Sequence, residues 1–363
     1  MQSKMMLDNL NSFMKKIKDK ESEQLFDARL QYLFYRDRKK FYKSLDEILQ
    51  NRNDSYDCLR LQQYERLNPQ NKEKNIVIFG AGERGQLTCR SLMYLKRKVH
   101  CFIDNNADLW GSDYKGIPIY GLAEAQENLR DCVVVVSVDR RWQLEIYHQL
   151  IHAGIKESDI LMPQEGYLFS GRGNQYFDLE EVKPDSEGEY FVDAGAYDGV
   201  TSLECANWCK GKLKKIYAFE PDHNNYLQCN KVLNQSGYDY ELYECATWDD
   251  ETTLHFWSLE NEGYASAVHE KGKISIKADS IDHKLAGRKA TYIKYDVEGS
   301  EMKALKGSIK TIQKYRPKLA ISIYHKPEDI MEIPVFLEEL GLDYHYYLRQ
   351  YQVRMEETIL YAI

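Results

Sequence analysis

The first 70 residues carry apolar side chains at helical spacing among many charged ones. Leucine and phenylalanine recur with this period between Leu25 and Leu45, and the first proline is Pro69. An apolar stripe of this kind is typical of amphipathic helices. We expect a helical extension over residues 1–70, with two to four helices that pack against the following domain or against a second copy of the chain in a homo-oligomer. A lid over a substrate is the alternative.

From residue 71 to residue 165, short apolar runs alternate with helical patterns. The runs at 75–79, 99–104 and 132–137 predict buried parallel strands, so this part of the chain is expected to form a Rossmann-like α/β domain. The next residues, 166–189, are rich in glycine and poor in apolar side chains, which predicts a linker.

A glycine-rich turn, GAGERG, joins the first of these strands to a helix at residues 86–96. In this setting the pattern GxGxxG favours a nucleotide ligand. An acidic residue nineteen positions beyond the turn falls where a ribose contact is expected. The alternative is that the glycines only allow close packing of strand and helix, and that the acidic residue caps a turn. The candidate binding residues are Gly80, Gly82, Glu83, Arg84, Gly85 and Asp104.

The segment from residue 190 begins with an apolar strand that ends in DAGAYDG. Asp193 closes the strand, and two glycines four positions apart, Gly195 and Gly199, follow it. This turn suits S-adenosylmethionine, because a carboxylate attracts its ammonium and sulfonium but would repel a pyrophosphate. Glu220 comes after the next strand, twenty-one residues beyond Gly199, at the distance where a carboxylate meets ribose hydroxyls.

A third strand, near residue 292, runs into DVEGSE. Taken together, DAGAYDG, AFEPD and IKYDVEGSE closely resemble the motifs of the FkbM family of S-adenosylmethionine-dependent methyltransferases, over roughly residues 170–363. The resemblance implies a class I methyltransferase fold for residues 190–363. Further upstream, FIDNN and GIPIYG resemble the N-terminal domain of PglD-type sugar acyltransferases, in which that domain holds a nucleotide-linked sugar. The predicted fold class is therefore α/β, with two Rossmann-like doubly wound domains in series after the helical extension.

Ligands of doubly wound sheets lie outside the carboxyl ends of the strands, so the motif residues should meet in one cleft. The family resemblance implies the same position for the methyl donor. Backbone groups and short side chains of the turn would line it, Glu220 would bind its ribose, and the exit of a later strand would meet its adenine. The expected donor-binding residues are Asp193, Gly195, Ala196, Tyr197, Asp198, Gly199, Thr201, Glu220 and Ala246.

His325 and Asp296 are the candidate catalytic residues. His325 closes the strand at 319–324, and its ordinary pKa of about 6.5 suits a general base for a hydroxyl acceptor. Asp296 would orient this histidine, bind the acceptor or hold a divalent metal ion with Glu298 or Glu301. The alternatives are a structural histidine and carboxylates that cap the following helix. The aromatic candidates for stacking on a sugar ring are Trp257, Tyr264 and Tyr324.

Composition narrows the classes of partner. A formal net charge of −8 over 363 residues argues against a surface that binds phosphate backbones, and so against a nucleic-acid partner. The eight cysteines show no metal-ligand spacing and are expected to be buried thiols, although Cys205 and Cys209 could share a helix face. The N-terminus lacks a signal-peptide core, and no stretch approaches 18 apolar residues. These features predict a cytoplasmic protein without a membrane span.

Three functions are compatible with these patterns. The first, which the motifs favour, is an S-adenosylmethionine-dependent O-methyltransferase that acts on a sugar or on an intermediate of glycan biosynthesis. The second is an NAD(P)-dependent oxidoreductase centred on residues 71–165, with the C-terminal unit as support. The third is a non-catalytic, metabolite-binding subunit of a glycan assembly system.

Overall fold

The chain forms two compact units. The computed structural model describes residues 2–50, 58–125, 129, 131–168, 170–171, 174–256 and 274–363. The α/β fold class predicted from the sequence is confirmed, since each unit is built on a largely parallel sheet and the N-terminal region is helical. We call Leu49–Gly173 with Tyr351–Arg354 the small unit, and Met1–Ile48, Asn174–Gln350 and Met355–Ile363 the large unit.

The N-terminal helices are α1 Gln2–Lys16, α2 Lys20–Tyr35, α3 Arg38–Gln50 and α4 Leu59–Leu67. Asp19 caps α2 by accepting a hydrogen bond from the N–H of Ser22 at 2.8 Å, which satisfies a donor that the first turn leaves open. Phe13 of α1 is fully buried, with its ring 5.2 Å from that of Phe26. The helices up to Ile48 belong to the large unit, whereas α4 belongs to the small one.

The small unit is a six-stranded sheet flanked by helices. Its strand order is β3-β4-β2-β1-β5-β6, and every pair except β3 with β4 is parallel. The apolar run at residues 132–136 is buried along its whole length, as expected for a central parallel strand. The elements in chain order are β1 Asn75–Phe79, α5 Glu83–Tyr94, β2 Val99–Ile103, β3 Asp113–Tyr114, β4 Ile117–Tyr120, α6 Leu122–Ala125, β5 Cys132–Val136, α7 Arg140–His152 and β6 Ile160–Leu161.

The segment predicted as a linker packs into the cores of the two units. Leu168 is fully buried in the core of the small unit. Tyr176 and Phe177 are buried in the large unit, where the ring of Phe177 lies 5.5 Å from that of Trp208 and 5.9 Å from that of Tyr292. The few apolar residues of this segment are thus the ones that anchor it.

The large unit contains a seven-stranded sheet. Its elements in chain order are β7 Glu189–Ala194, α8 Val200–Trp208, β8 Leu213–Phe219, α9 His223–Ser236, β9 Tyr240–Tyr243, β10 Ala246–Thr247, β11 Thr252–Phe256, β12 Ile274–Asp279, α10 Ile281–Leu285, β13 Tyr292–Tyr295, α11 Glu301–Lys306, α12 Ile309–Tyr315, β14 Lys318–Ser322, α13 Asp329–Glu339, β15 Tyr346–Gln350 and β16 Thr358–Ala362. The strand order is β15-β16-β14-β13-β7-β8-β9, with β16 antiparallel to both of its neighbours. This topology agrees with the class I methyltransferase fold that the family resemblance implied.

The topology brings the motif strands side by side. Strands β14, β13, β7 and β8 are neighbours in the sheet and run parallel, so their carboxyl ends meet at one edge. The large unit also contains a separate three-stranded sheet of order β10-β12-β11. Residues 257–273 lie outside the described residues, and with them Trp257 and Tyr264, which were predicted to stack on a sugar.

Two further predictions concern the chain as a whole. All eight cysteines are buried, as expected. Sγ of Cys205, in α8, lies 3.8 Å from Sγ of Cys209, which follows the last residue of that helix. In the part of the chain that the structure describes, no helix has both the length and the apolarity needed to cross a bilayer.

Candidate active site

Backbone geometry explains both glycines of the turn between β7 and α8. Gly195 and Gly199 each have a φ of 83°, in the left-handed region that residues with a side chain disfavour. A β-carbon on Gly195 would also lie 2.0 Å from the carbonyl oxygen of Asp296. Tyr197 is left-handed as well, with a φ of 50°, and its side chain is exposed. The turn therefore runs against the end of β13 and exposes the side chain of Tyr197 to solvent.

Asp193, at the end of β7, is fully buried and bonded on both carboxylate oxygens. Its Oδ1 accepts a hydrogen bond from Nζ of Lys294 at 2.9 Å, and its Oδ2 accepts one from the hydroxyl of Ser202 at 2.7 Å. Lys294 also donates to the carbonyl oxygen of Gly195 at 2.6 Å. Burial disfavours the ammonium form of this lysine, but the charges of Asp193 and Asp296 outweigh burial and raise the pKa of Lys294. The carboxylate predicted to meet the donor's ammonium is thus neutralised by a lysine of the same sheet.

Glu220, just past β8, reaches back to the turn. Its Oε2 accepts a hydrogen bond from the N–H of Tyr197 at 2.8 Å, and its Oε1 accepts one from the N–H of Asp222 at 2.9 Å. Burial raises the pKa of Glu220 despite these two bonds. Since each carboxylate oxygen accepts more than one hydrogen bond, the same side chain can hold the turn in place and still bind a hydroxyl.

The remaining predicted donor residues differ in their surroundings. Ala196 is buried, and its N–H donates to the carbonyl oxygen of Phe219 at 2.9 Å. Asp198 accepts a hydrogen bond from the N–H of Val200 at 3.0 Å, and so supports the start of α8. Thr201, in the first turn of α8, is partly exposed. Ala246 lies in β10 of the three-stranded sheet.

Asp296 and His325 lie together at the ends of β13 and β14. Nδ1 of His325 is 2.9 Å from Oε1 of Glu301, and Nε2 is 3.3 Å from Oε2 of Glu298 and 3.9 Å from Oδ1 of Asp296. Glu301 is completely buried, and its Oε1 also accepts a hydrogen bond from the N–H of Val297 at 3.0 Å. One ring nitrogen of His325 thus contacts Glu301, and the other lies near the carboxylates of Glu298 and Asp296.

These neighbours change the charge of the histidine. Burial disfavours its imidazolium form, but the hydrogen bonds to Glu298 and Glu301, together with the charge of Asp296, raise the pKa of His325 to about 10. Burial likewise favours the neutral form of Asp296, yet Lys294 and His325 lower its pKa. At neutral pH the pair is an imidazolium beside a carboxylate. The ordinary pKa on which the prediction of a histidine base rested therefore does not apply in this site.

Two tyrosines complete the surroundings of Asp296, and sequence reasoning missed one of them. The hydroxyl of Tyr176 donates to Oδ2 of Asp296 at 3.0 Å, and the hydroxyl of Tyr324 donates to Oδ1 at 3.2 Å. Tyr176 lies in the segment predicted as a linker and has a φ of 74°. Burial and the nearby charge of Asp296 raise the pKa of both phenols, so both remain donors. No spacing in the sequence connects Tyr176 with Asp296, because 120 residues separate them.

The same cluster contains atoms that suit a divalent metal ion. One ligand atom each from Asp296, Glu301 and His325 lies within 4.8 Å of the other two. Oε2 of Glu301 is buried and has no hydrogen-bond partner among the described residues. Carboxylate oxygens with one imidazole nitrogen fit Mg²⁺ or Mn²⁺. The predicted metal ligand Glu298 is more exposed, with 60% of its side-chain surface accessible.

In the small unit, packing explains two of the three glycines of GAGERG. A β-carbon on Gly80, whose φ is 105°, would lie 2.5 Å from the carbonyl oxygen of Ser137, and one on Gly85 would lie 1.8 Å from the carbonyl oxygen of Gly80. Gly82 precedes α5 with an ordinary φ of −70°, and a β-carbon there would meet no atom within 4 Å. Packing therefore leaves Gly82 unexplained.

The other residues predicted to bind a ligand there mostly bond within the small unit. Oδ2 of Asp104 accepts a hydrogen bond from the N–H of Ala81 at 2.7 Å, which fastens the glycine turn to the end of β2. Arg84 donates to the carbonyl oxygen of Glu165 at 2.6 Å and pairs with Asp139 at 3.3 Å. Glu83 is the first residue of α5.

Two family models match the chain. Residues 193–344 match the model described as "Methyltransferase FkbM domain", and residues 72–161 match the one described as "C2185-like, N-terminal". The model matched by the small unit is thus a different one from the PglD-type acyltransferases named from the sequence. No curated protein matches the chain.

The chain is also similar to solved structures of methyltransferases. One is methyltransferase FkbM from Methylobacillus flagellatus KT, at 19% identity and a TM-score of 0.45, with 90% of this chain and 99% of that chain covered. A second is an rRNA methylase from Streptococcus thermophilus, at 20% identity and a TM-score of 0.32, covering 50% and 88%. A third is a SAM-dependent methyltransferase from Aquifex aeolicus, at 15% identity and a TM-score of 0.31, covering 52% and 90%.

The donor turn, the strand order of the large unit and the matched model agree. The three motifs quoted from the sequence, at β7, β8 and β13, fall in or next to the matched residues, and the turn after β7 lies against the end of β13. Residues 193–344 are therefore a methyltransferase FkbM domain, and the protein is an S-adenosylmethionine-dependent methyltransferase.

Proposed function

We propose that this methyltransferase transfers the methyl group to a hydroxyl of a sugar or of an intermediate of glycan biosynthesis. The observation that carries the proposal is the position of Asp296. Its backbone carbonyl packs against Gly195 of the donor turn, and its carboxylate accepts hydrogen bonds from the hydroxyls of Tyr176 and Tyr324. The carboxylates and phenols around Asp296 can accept and donate hydrogen bonds. Such a surface suits a polyhydroxylated acceptor better than an apolar one.

In this reaction the acceptor oxygen attacks the methyl carbon, the O–CH₃ bond forms and the S–CH₃ bond breaks. S-adenosylhomocysteine leaves, and the hydroxyl proton must leave too. As the oxygen donates its electron pair, its proton becomes far more acidic, so a carboxylate of low pKa is a sufficient base. We assign this proton to Asp296, and we assign to His325 the role of a charged partner that keeps Asp296 ionised. His325 itself acts as the base only where it has lost its proton.

The cluster also gives the proposal a metal-dependent form. A divalent ion bound by Asp296, Glu301 and His325 would displace the imidazolium proton, because only the neutral ring can ligate a metal. The ion would then supply the positive charge next to the acceptor hydroxyl and lower the pKa of that hydroxyl. Dialysis against a chelator separates the two forms. Activity that disappears on chelation and returns with Mg²⁺ or Mn²⁺ supports the metal-dependent form, and activity that survives chelation supports Asp296 as a metal-free base.

The proposal is tested by incubating the protein with methyl-labelled S-adenosylmethionine and a panel of nucleotide sugars and glycan intermediates. We expect labelled product from at least one of them. Asp296→Asn should lower its turnover by about 10²–10⁴-fold, the usual contribution of a general base, while donor affinity stays within about twofold. Asp249→Asn, which breaks an ion pair with Lys303, is the matched control. Methylation of apolar acceptors only would contradict a sugar substrate.

A second proposal concerns the small unit, which we propose binds a nucleotide-linked sugar. Gly82 supports it, because neither backbone conformation nor packing requires a glycine at that position. Gly82→Val should leave the thermal stability unchanged but remove the stabilisation given by a nucleotide sugar, since the new side chain points into open space at the helix start.

The panel for this experiment includes NAD(P)H, which tests the alternative of an oxidoreductase. Gly211→Val is the contrasting variant. A β-carbon there also meets no neighbour, but the φ of 84° strains the backbone, so this variant should lower the thermal stability. If no nucleotide sugar and no dinucleotide shifts the melting temperature of the wild-type protein, the small unit does not bind this class of ligand.

A further inference from the structure

We propose that Lys294 and Asp193 form a buried clamp that positions the donor turn, and that Asp193 does not itself contact the donor. This inference rests on the donor site of the methyltransferase and is independent of which acceptor is used. It replaces the direct contact between Asp193 and the donor's ammonium that the sequence suggested.

The clamp is defined by two bonds from a single ammonium group. Nζ of Lys294 donates to Oδ1 of Asp193 at 2.9 Å and to the carbonyl oxygen of Gly195 at 2.6 Å. The lysine lies on β13 and its two partners lie at the end of β7, so the clamp ties neighbouring strands together where the turn begins. These acceptors, a carboxylate and a turn carbonyl, are the groups that a donor ammonium would seek.

Because Asp193 is buried and already paired with Lys294, its carboxylate is not accessible to the ammonium group of the donor. Asp193 has no exposed side-chain surface, and Lys294 has 3%. The second oxygen of Asp193 is occupied by the hydroxyl of Ser202, which lies in the first turn of α8. The carboxylate therefore joins β7, β13 and the helix that follows the turn. A ligand that reached it would have to displace one of these contacts and leave a buried charge unpaired, which is strongly unfavourable.

The turn itself needs such a clamp. Its left-handed residues, Gly195, Tyr197 and Gly199, have φ values of 83°, 50° and 83°. A left-handed backbone at a residue with a side chain persists only where its surroundings hold it. Among the three only Tyr197 has a side chain, and Glu220 holds it by accepting a hydrogen bond from its N–H. The bond from Lys294 to the carbonyl oxygen of Gly195 ties the start of the turn to β13. The shape of the donor pocket thus depends on two buried charged side chains that need not touch the ligand.

Two ligands distinguish a clamp from a direct contact. S-adenosylhomocysteine carries the amino-acid end of the donor, and 5′-methylthioadenosine lacks it but keeps the nucleoside. A carboxylate that binds the donor's ammonium affects only the first ligand. A clamp that shapes the turn affects both ligands by the same factor.

The experiment measures the affinity of the full chain for both ligands by calorimetry. The variants are Asp193→Asn, Lys294→Met and the double variant, each with its thermal stability measured alongside. We expect each single variant to weaken both ligands about equally, by roughly tenfold or more, the effect of a lost charged hydrogen bond. The double variant should be no weaker than the worse single variant, because it removes the charge that a single substitution leaves unpaired.

A second buried pair in the same sheet is the matched control. Nζ of Lys318 lies 3.1 Å from Oε1 of Glu189, and Glu189 has no exposed surface. This pair joins the amino ends of β14 and β7, at the opposite edge from the donor turn. Lys318→Met should lower stability, as Lys294→Met does, but leave both affinities within twofold.

Several results would overturn the clamp. If Asp193→Asn lowers the affinity for S-adenosylhomocysteine but not for methylthioadenosine, Asp193 contacts the amino-acid end of the donor directly. Unchanged affinities, or an equal loss in Lys318→Met, would reduce the pair to general stabilisation. A wild-type chain that binds neither ligand would contradict the donor site itself. A failed search for a sugar acceptor leaves all of these measurements unaffected.

Discussion

Gly195 and Asp296 touch through their backbones. A β-carbon on Gly195 would lie 2.0 Å from the carbonyl oxygen of Asp296, so only a glycine lets the donor turn approach the end of β13 this closely. Gly195 belongs to the turn that we propose binds the donor, and Asp296 belongs to the proposed acceptor site. In the proposed site this contact would set the distance between methyl donor and acceptor, and it is made by main-chain atoms and not by flexible side chains.

Gly195→Ala should destabilise the protein more than Gly211→Ala. Both glycines have a left-handed φ, 83° and 84°, but no atom lies within 4 Å of a β-carbon at Gly211. Placing a residue with a β-carbon in the left-handed region costs about 1–2 kcal/mol of stability, and this cost is common to both variants. The clash adds roughly 1–3 kcal/mol at Gly195 only. Chemical denaturation measures the difference, and equal losses in the two variants would show that the turn moves aside freely.

The contribution of His325 to stability should decrease as the pH rises. Its pKa in the folded protein is about 10, above the ordinary value of about 6.5, so the stabilisation is fully present below pH 6.5 and is lost as the pH rises to 10. The difference in free energy of unfolding between the wild type and His325→Gln should therefore be larger at pH 6 than at pH 10, by about 1.5–3 kcal/mol. His152→Gln, on the exposed surface of α7, is the control. A difference that does not change with pH would contradict the raised pKa.

The pH dependence of turnover distinguishes the two candidate bases. If Asp296 takes the proton and His325 is its charged partner, turnover should fall as the pH passes about 10, where the imidazolium loses its charge. If His325 is the base, turnover should instead rise through the same range. The rate under saturating donor and acceptor measures this, with unfolding monitored at each pH so that denaturation is not mistaken for titration.

Removing the hydroxyl of Tyr176 should slow the reaction without affecting the donor. Tyr176→Phe deletes a hydrogen bond to Oδ2 of Asp296, so turnover should fall by about tenfold, equivalent to about 1.4 kcal/mol. Loss of this donor also raises the pKa of Asp296, so the acid limb of the pH profile should move to higher pH.

Tyr344→Phe is the control for Tyr176→Phe. Its hydroxyl is buried as well, but it donates to the carbonyl oxygen of Pro317 at 2.8 Å, away from Asp296. This variant should lower stability without moving the pH profile. The same shift in both variants would mean that any buried phenol of the large unit has this effect.

Capping of α9 gives a prediction independent of the chemistry. Oδ1 of Asp222 accepts hydrogen bonds from the N–H groups of Asn224 and Asn225, each at 2.9 Å. Asp222→Ala should lower the free energy of unfolding by about 1 kcal/mol, whereas Asp222→Ser, which keeps a capping oxygen, should lower it less. Equal losses in the alanine and serine variants would show that the cap contributes little.

The sequence by itself determined the class of fold and singled out the turn that we propose binds the donor. Periodicity separated the helical N-terminus from the strands, because burial of one face imposes a spacing that is readable along the chain. Gly195, Gly199 and Glu220 could be predicted to lie together because their positions depend on local geometry, namely a strand end, a left-handed turn and the next strand. Their roles in donor binding stay a prediction. The structure places all three at one edge of one sheet.

Only the tertiary structure decided which charges neutralise one another. Lys294 stands two residues before Asp296 in the sequence, but its partner is Asp193, which lies 101 residues earlier. Tyr176 belongs to a segment that reads as a linker, yet its hydroxyl reaches Asp296. The pKa of His325 likewise depends on Glu298 and Glu301, which a different strand end supplies. Electrostatic energy depends on distance and burial in space, and neither quantity is encoded in the spacing of residues along a chain.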